Sequence, residues 1–570
     1  MDKALLGRNM LNGDNNSFFY NPEKWQPEGG PYTKKAIRRF TQNLSSSGID
    51  TFLICPNCQL PCYPSKKLRF QYQDYRRGDR EYTRGHWQYS AGCEGQALED
   101  ILDRQTLYND IYLDLLEAGV DWLEECAVAC REEGISPWLT VRMNDSHGGP
   151  HPEKSFMNND LLKFHPESRL DKPCINPQKQ FERYSLNYAK PECREYMLSV
   201  IADLLDNYDY EGMELDFTRD PVIVKPVATD EEREVIFNWI AQIRALTKEK
   251  EKRVGRPFYL GMKASFRTEL LYDYGLDIDR IINAGLLDFL ALSNTYQTSW
   301  DAPIDEHKRR WGGKVAVYGY IEGAVNWLTV RANKEANRPE NQQIKNGRDM
   351  TYCGEMTRGN AAGKLVLGAD GLIQYNCFVG FDKDSRAPSA EWALKNLTDL
   401  EHLRGKPKGY SLESAFFYPL GTVALELPWT LPEYIWPSSC RAFRLPMCRE
   451  PNDGGLTLFV QLIFEKKEAE PFFGVSVNGR WPSAEFQTTD RLLYANGDYG
   501  TLLEEHVGYV YTFPVSMIRE GWNEFTVFNL FSESADRAVN ETNNFRLMSL
   551  EIGVMPSDYK VPREEREQEK

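Results

Sequence analysis

Short apolar runs alternate with amphipathic stretches along the first 400 or so residues of the chain. Short apolar runs bounded by turn residues are typical of buried strands, and apolar residues three and four apart are typical of helices packed on a sheet. Their alternation predicts repeated βα units around a parallel sheet. The predicted strands are Leu5–Met10, Thr51–Cys55, Trp138–Met143, Gly212–Phe217, Phe258–Ala264, Phe289–Asn294, Val315–Ile321 and Leu372–Phe378.

Helical periodicity precedes five of these strands. The predicted helices are Tyr32–Leu44, Leu107–Glu133, Pro191–Asn207, Glu231–Lys248 and Ile278–Ala284. Eight βα units in about 400 residues predict an α/β fold, the (β/α)8 TIM barrel, with large insertions. An open doubly wound sheet is the alternative, but no Gly-x-Gly-x-x-Gly sequence opens a helix after the first strand.

Three long insertions follow predicted strands two, three and seven, at Asn57–Gln105, Asp145–Lys190 and Glu322–Met350. All three leave the carboxyl ends of strands, which is the face of a barrel where active sites are built. Long loops in compact domains usually have a function. The insertions therefore predict an active site at this face.

The pattern changes after about residue 410, where short β-rich runs are separated by turns such as Asn478-Gly479 and Glu520-Gly521. Such runs predict an all-β jelly-roll sandwich. The predicted domains are a barrel at 1–405, a sandwich at 410–556 and a charged, disordered tail at 557–570.

Composition restricts the partners. The net charge of −16 argues against a nucleic-acid backbone as a general partner. No apolar run approaches the roughly 20 residues that a membrane helix needs. The first residues lack an apolar signal core, so we expect a cytoplasmic protein, or a secreted one if a signal was removed. Cys126 and Cys130 lie one helical turn apart and are expected to be buried thiols.

The segment around predicted strand four carries the strongest chemical signal. Side chains alternate along a strand, so Glu214 and Asp216 share one face while Met213, Leu215 and Phe217 point the other way. Two carboxyl groups facing a barrel interior are costly unless they are paired or used. Carboxyl pairs with separated pKa values cleave glycosidic bonds. The alternative is that either group is the structural partner of a buried cation.

Predicted strand seven places Tyr318, Tyr320 and Glu322 on one face, with Glu322 at the strand end. Asp216 and Glu322 are expected to flank one bond across the barrel, unless Glu322 is a solvated loop residue. Cationic and amide side chains near strand ends are suited to holding sugar hydroxyl groups. The candidates for substrate binding are Asn57, Arg142, Asn144, Asp145, His147, Arg219, Lys263, Asn294 and Tyr320.

The insertion after predicted strand two is locally basic in an acidic protein. Its cations are Lys66, Lys67, Arg69, Arg76, Arg77, Arg80 and Arg84, against Asp74, Asp79 and Glu81. Its aromatic residues are Tyr72, Tyr75, Tyr82 and Trp87. Cations beside aromatic rings on the active face suit a sulfated or uronic glycan. The alternative is a loop whose charges are paired internally or solvated.

Several segments resemble a known family. They are Pro191–Pro221, with its residues Gly212, Leu215, Asp216, Phe217, Arg219 and Pro221, then Val141–Asp145, Asn283–Asp288, Ala369–Leu372, and, after the barrel, Val475–Gly479 and Glu520–Asn523. Together they resemble a bacterial glycosyl-hydrolase-like (β/α)8 barrel family with a C-terminal jelly-roll accessory domain. The resemblance implies sugar hydrolysis and makes Asp216 the first candidate for a catalytic acid or nucleophile.

The sequence thus predicts a glycoside hydrolase acting on a polysaccharide or its oligosaccharides, with an anionic glycan as one option. Asp216 with Glu322, or with Glu214, is the predicted catalytic pair, and no metal or organic cofactor is expected. Two alternatives stay open. One is a non-catalytic glycan-binding protein on a barrel scaffold. The other is a polysaccharide lyase in which Tyr320 or His147 removes a proton beside a uronate.

Overall fold

Eight parallel strands form a closed barrel in a computed structural model of the protein. The structure describes residues 2–14, 22–90, 92–145, 151–170, 184–218, 221–293, 299–322, 354–375, 395–413, 431–467, 470–493, 502 and 504–561. The barrel strands are β1 (Asn9–Gly13), β2 (Thr51–Ile54), β3 (Ser136–Arg142), β4 (Gly212–Asp216), β5 (Tyr259–Ser265), β6 (Phe289–Ser293), β7 (Ala316–Glu322) and β8 (Leu372–Tyr375). Each pairs in parallel with the next, and β1 pairs with β8. The predicted barrel is confirmed, and the open sheet is excluded.

Helices connect the strands and cover the outside of the barrel. They are α1 (Pro22–Trp25), α2 (Lys34–Ser46), α3 (Glu81–Gly85), α4 (Gly95–Glu117), α5 (Trp122–Glu132), α6 (Asp160–Phe164), α7 (Pro191–Asn207), α8 (Asp230–Val254), α9 (Thr268–Asp273), α10 (Ile278–Asn283), α11 (Ile304–Trp311) and α12 (Gly354–Val366). Helix α7 has the predicted bounds. None of the helices in the described ranges is long and apolar enough to cross a membrane.

The single helix predicted over Leu107–Glu133 is wrong, because the chain breaks there into α4 and α5. Gly119, with φ of +71°, turns the chain. The side chain of Asp121 then accepts hydrogen bonds from the backbone N–H groups of Leu123 and Glu124, which caps the new helix. Cys126 and Cys130 on α5 are buried free thiols, as predicted.

The barrel interior is apolar at the amino ends of the strands. Trp138, Phe289 and Tyr318 pack together there, with ring centroids 5.2 Å apart for the first two and 5.5 Å apart for the second two. The strands β4 and β5 carry glycine at the positions that face the Trp138 and Phe289 rings, which leaves room for these rings. A Cβ at Gly212 would lie 2.6 Å from the Trp138 ring, and one at Gly261 would lie 2.1 Å from the Phe289 ring. Charged side chains lie further along the same strands, toward the carboxyl ends.

A sandwich of two antiparallel sheets follows α13 (Leu400–Leu403), which confirms the predicted all-β region. Its elements are β9 (Lys408–Glu413), β10 (Glu433–Ile435), β11 (Cys440–Met447), β12 (Leu456–Glu465), β13 (Phe473–Val477), β14 (Gln487–Thr489), β15 (His506–Pro514), β16 (Gly521–Asn529), α14 (Arg537–Asn543) and β17 (Phe545–Pro556). One sheet has the order β10-β17-β12-β15-β14, with β9 also on β17, and the other has the order β11-β16-β13.

The two sheets share one apolar core, to which β12 and β17 of the larger sheet and β13 and β16 of the smaller sheet contribute. Of the predicted tail at 557–570, residues 562–570 lie outside the described ranges. Tyr559 packs on Phe459 with a centroid separation of 5.6 Å.

Candidate active site

Asp216 lies at the carboxyl end of β4, next to Lys263 on β5 in the strand register. The Lys263 Nζ atom is 2.9 Å from Asp216 Oδ2, and the two side chains are 1% and 2% exposed. Asp216 Oδ1 accepts hydrogen bonds of 2.8 Å from both the backbone N–H and the hydroxyl of Thr218. Burial alone would raise the pKa of Asp216, but Lys263 and the Thr218 donors lower it below its ordinary value. The arrangement keeps Asp216 ionised.

Two aromatic rings enclose Lys263. Its Nζ atom lies 3.9 Å from the ring centroid of Tyr375 and 5.1 Å from that of Tyr320. The rings themselves stack at 5.9 Å with an interplanar angle of 29°. Burial alone would lower the pKa of Lys263, but Asp216, with smaller contributions from Tyr375 and Glu214, raises it to about 12. The ammonium therefore stays charged although its side chain is almost completely buried.

Glu214 lies two residues deeper on the same face of β4 and is completely buried. Its Oε1 accepts hydrogen bonds from Asn12 Nδ2 at 2.7 Å and from the Thr140 hydroxyl at 2.8 Å. Its Oε2 has no hydrogen-bond partner among the described residues. Burial raises the pKa of Glu214 to about 7, against the opposing effect of Lys263. Neighbouring carboxyl groups whose pKa values move in opposite directions are typical of acid–base sites.

Arg142 at the end of β3 is held between two carboxylates. It forms an ion pair of 3.1 Å with Asp145 Oδ2 and a second, close ion pair with Asp14. Burial would lower the pKa of Arg142, but Asp14 and other neighbours raise it well above its ordinary value. Asp14 follows Asn12 by two residues, so strand alternation puts both on one face of the chain. That signal identifies Asp14, which the sequence analysis missed.

The side-chain amides of Asn57 and Asn144 form hydrogen bonds with backbone groups of other segments. Asn57 donates to Arg142 O at 3.0 Å and accepts from Arg142 N at 3.2 Å. Asn144 donates to Leu186 O at 3.0 Å and accepts from Leu186 N at 3.1 Å. Gln59 Nε2 donates to Asn144 Oδ1 at 3.1 Å, a contact that the sequence analysis also missed. These amides brace the segments that follow β2 and β3.

The remaining candidates fall partly or wholly outside the described residues. Those wholly outside are His147, Arg219 and Asn294. Glu322 is the last residue of β7 and pairs in register with Tyr375, but its side chain is not described. The structure therefore brings together Asp216, Glu214, Lys263 and Tyr320, and it puts Arg142 beside them in the register of β3 and β4.

The basic insertion after β2 is largely neutralised by the protein itself. Five of its seven cations form ion pairs: Lys67 with Asp206, Arg69 with Asp74, Arg77 with Asp114, Arg80 with Asp103 and Arg84 with Glu81. Tyr72 and Tyr75 belong to the barrel's apolar core. Asp206 and Asp114 lie outside the insertion, so three of these five pairs are internal to it, and the alternative of a loop with paired charges fits the contacts.

No family model and no curated protein matches the chain. Among solved structures it is similar to α-L-fucosidase isoenzyme 2 from Paenibacillus thiaminolyticus, with 12% identity and a TM-score of 0.40 over 71% of this chain and 51% of that one. It is also similar to the GH36 α-galactosidase AgaA from Geobacillus stearothermophilus, with 12% identity and a TM-score of 0.32 over 97% of this chain and 56% of that one.

A third similar structure is the noncanonic maltogenic α-amylase AmyB from Thermotoga neapolitana, with 11% identity and a TM-score of 0.34 over 93% of this chain and 100% of that one. All three proteins are glycoside hydrolases. The chain spans about half the length of the fucosidase and of the galactosidase.

Proposed function

We propose that the protein is a glycoside hydrolase in which Asp216 is the ionised catalytic carboxylate. The observation that carries this proposal is the buried ion pair of Asp216 with Lys263 at the carboxyl end of β4. Barrel enzymes carry their catalytic groups at this end of the strands. Burying two charges costs free energy that their attraction regains only in part, which is expected where the charge has a task in catalysis.

The proposed reaction divides the work between two carboxyl groups. An acid donates a proton to the glycosidic oxygen as the bond from that oxygen to the anomeric carbon breaks. In one course Asp216 bonds to the anomeric carbon as the glycosidic bond breaks, and a water, losing its proton to the residue that acted as acid, then displaces Asp216. In the other course Asp216 takes a proton from a water that bonds to the anomeric carbon directly. Carboxyl separations of about 5–5.5 Å favour the first course and of about 6.5–9.5 Å the second.

Glu322 is the proposed acid, because β7 ends there at the same face of the barrel as Asp216. Glu214 is the second candidate, since a pKa of about 7 leaves it partly protonated at neutral pH. Its complete burial below Asp216 argues for a supporting role, in which it accepts hydrogen bonds from Asn12 and Thr140.

The proposed sugar contacts come from Arg142, Asp145 and Tyr320, and His147, Arg219 and Asn294, which lie outside the described residues, are further candidates. Lys263 orients Asp216, and Asn57 and Asn144 hold the binding segments in place. The ion pairs that the basic insertion forms leave few of its cations for an anionic substrate. We therefore propose a neutral oligosaccharide as the first substrate class, with sulfated and uronic glycans as the second.

A product assay on a panel of neutral, sulfated and uronic glycans tests the proposal, using the parent protein, Asp216→Asn and Glu211→Gln. Glu211 directly precedes β4 at the opposite end of the strand, where it accepts a hydrogen bond from Ser136 and pairs with Arg131. We expect Asp216→Asn to lower the cleavage rate by at least about 10³-fold and the Glu211 control to keep it.

Two other outcomes would replace the proposal. Products with an unsaturated, ultraviolet-absorbing end would indicate a lyase, with Tyr320 as the first candidate for the base. Binding of a glycan by both the parent and Asp216→Asn, with no cleavage by the parent, would indicate a binding protein.

A further inference from the structure

The sandwich contains a cavity of its own, which we call the end cavity. It lies where β12 ends and where β15 and β17 begin, and its volume is about 140 Å³. One water needs roughly 10–15 Å³ of such space, so the end cavity has room for about ten water-sized groups, close to the size of one sugar ring with its hydroxyl groups. All of its lining residues belong to the sandwich. Glu470 and Thr542 on its wall are exposed, so a ligand can enter it from solvent.

Aromatic rings form the apolar part of this wall. Phe464 and Phe545 belong to the sandwich core, and their ring centroids are 5.0 Å apart, so packing fixes both rings. Tyr509 packs on Phe464 with a centroid separation of 5.8 Å, and Phe531 is the fourth ring of the wall. Ligand sites are typically lined by such rings, which cover the apolar faces of the ligand.

The polar part of the wall keeps hydrogen-bonding groups free. Glu470, Asn543 and Asn544 line the end cavity. Within the described part of the chain, the Glu470 carboxylate, the Asn543 side-chain amide and the Asn544 Nδ2 atom form no hydrogen bond or ion pair. Asn544 is held in place, because its backbone oxygen accepts a hydrogen bond of 2.7 Å from Lys467 and its side-chain oxygen accepts a second one. The free groups include donors and acceptors, and a sugar hydroxyl needs both.

The charges on the wall favour a neutral ligand. The carboxylates of Glu465 and Glu470 are balanced by the ammonium groups of Lys466 and Lys467. Both ammonium groups already donate hydrogen bonds to backbone oxygens, at 2.5 Å for Lys466 and at 2.7 Å for Lys467. A sulfate or carboxylate on the ligand would compete with these oxygens and would lie beside two carboxylates, which costs binding free energy.

We propose that the end cavity binds one unit of a neutral glycan, as a site separate from the barrel. Its fixed rings suit the apolar faces of a sugar, and its free amide and carboxylate groups suit the hydroxyl groups. The choice of a sugar as the ligand rests on the proposed function, whereas the cavity and its free groups do not. A second glycan site on the same chain raises the effective concentration of substrate at the barrel.

Amide hydrogen exchange of the full chain tests the proposal, in an Asp216→Asn background so that no probe is cleaved. The neutral probes are cellotriose, mannotriose, xylotriose and maltotriose, and the charged probe is trigalacturonate. The segments 504–512 and 538–547 carry much of the wall. We expect at least one neutral probe to slow exchange in both segments at least about twofold, because a bound ligand stabilises the closed state.

Thr542→Trp puts a large ring at the exposed edge of the end cavity and should abolish this slowing. Val539→Trp is the matched control, since Val539 is 41% exposed on the same helix and does not line the cavity. Glu470→Ala is a second variant in case Thr542→Trp does not fold, and it should weaken binding of the probe about tenfold. Its control is Glu485→Ala, which removes an exposed carboxylate elsewhere in the sandwich.

The proposal is overturned if every neutral probe leaves exchange in both segments unchanged, if only trigalacturonate slows it, or if Thr542→Trp shows the same slowing. Exchange of the barrel segments 136–145 and 212–218 reports separately on the proposed function. Slowing in the sandwich alone, with no glycan cleaved by the parent, would support this inference while the proposed function fails.

Discussion

At the scale of single residues, the electrostatics of the barrel mouth depend on Lys263. It is the close cation of Asp216 and also acts on Glu214. Its own charge is stabilised by Asp216 and by the faces of Tyr375 and Tyr320. The pKa values of both carboxyl groups therefore depend on the Lys263 ammonium.

Lys263→Met should shift the pH dependence of catalysis. The pKa of Asp216 is lowered by Lys263 and Thr218, so removal of the ammonium raises it, and ionised Asp216 is then lost at a higher pH. We expect the acidic limb of kcat/KM to move up by about 1–3 pH units. Lys248→Met, which removes an exposed lysine on α8, is the control. An unchanged acidic limb in Lys263→Met would contradict this account.

Glu214→Gln should change how stability depends on pH. The folded pKa of about 7 lies above the ordinary 4.5, so the stability that Glu214 contributes is fully present below pH 4.5 and is lost as pH rises through 7. Relative to the parent, the free energy of unfolding of the variant should therefore rise by up to about 3 kcal/mol between pH 4.5 and pH 8. Urea unfolding at several pH values measures the free energies of both proteins. A difference between variant and parent that does not change with pH would refute the prediction.

Sequence reasoning named Asp216, Glu214 and Lys263 as candidates, but it missed Asp14 and did not reveal the contacts among these side chains. Alternation along β4 correctly gives Glu214 and Asp216 one face, because that depends on local geometry alone. It does not reveal that Lys263 forms an ion pair with Asp216, or that the side-chain amide of Asn57 hydrogen-bonds to the Arg142 backbone. Those contacts depend on register between strands that are distant in sequence.

At the scale of elements, the barrel depends on glycines opposite large rings. Gly261→Ala would place a methyl group 2.1 Å from a ring carbon of Phe289, so the ring must move in a filled interior. We expect the free energy of unfolding to fall by about 1–3 kcal/mol, measured by denaturant titration. Adding Phe289→Leu to this variant should restore part of the loss.

Gly313→Ala is the matched control, because nothing lies within 4 Å of its added Cβ. It should leave the free energy of unfolding within about 0.5 kcal/mol of the parent. Equal effects of the Gly261 and Gly313 substitutions would contradict the packing account.

The first strand shows why some element bounds escape sequence reasoning. Its apolar residues predicted Leu5–Met10, but β1 runs from Asn9 to Gly13 after a turn at Gly7, whose φ is +75°. The strand contains buried polar residues such as Asn12, which bonds to Glu214. Hydrophobic patterning misses a strand whose inward face carries site chemistry.

At the scale of the whole molecule, a buried ion pair lies close to the start of the sandwich. Lys408 and Glu450 are 2.8 Å apart and both fully buried, and Gly405 N donates to Glu450 Oε2 at 2.7 Å. Glu450→Gln removes the carboxylate charge that lies 2.8 Å from Lys408 in a buried setting, and we expect a loss of about 3 kcal/mol in the free energy of unfolding, measured by urea titration.

The exposed pair of Arg537 and Glu541 provides the control for this loss, since its side chains are 89% and 50% exposed. In urea titrations of the parent and both variants, Glu541→Gln should change the free energy of unfolding by less than about 0.5 kcal/mol. A loss in Glu450→Gln no larger than in Glu541→Gln would show that the buried pair contributes little.

The proposed function requires the Asp216 carboxylate to act at the bond that breaks. The most direct test is rescue of Asp216→Ala by sodium azide, on an aryl glycoside that the parent cleaves. Azide fits the space of the lost carboxylate and attacks the anomeric carbon. We expect azide to restore cleavage in Asp216→Ala, with a glycosyl azide as product, and to have no such effect on Glu211→Ala. Parent-like cleavage by Asp216→Ala without azide would contradict it.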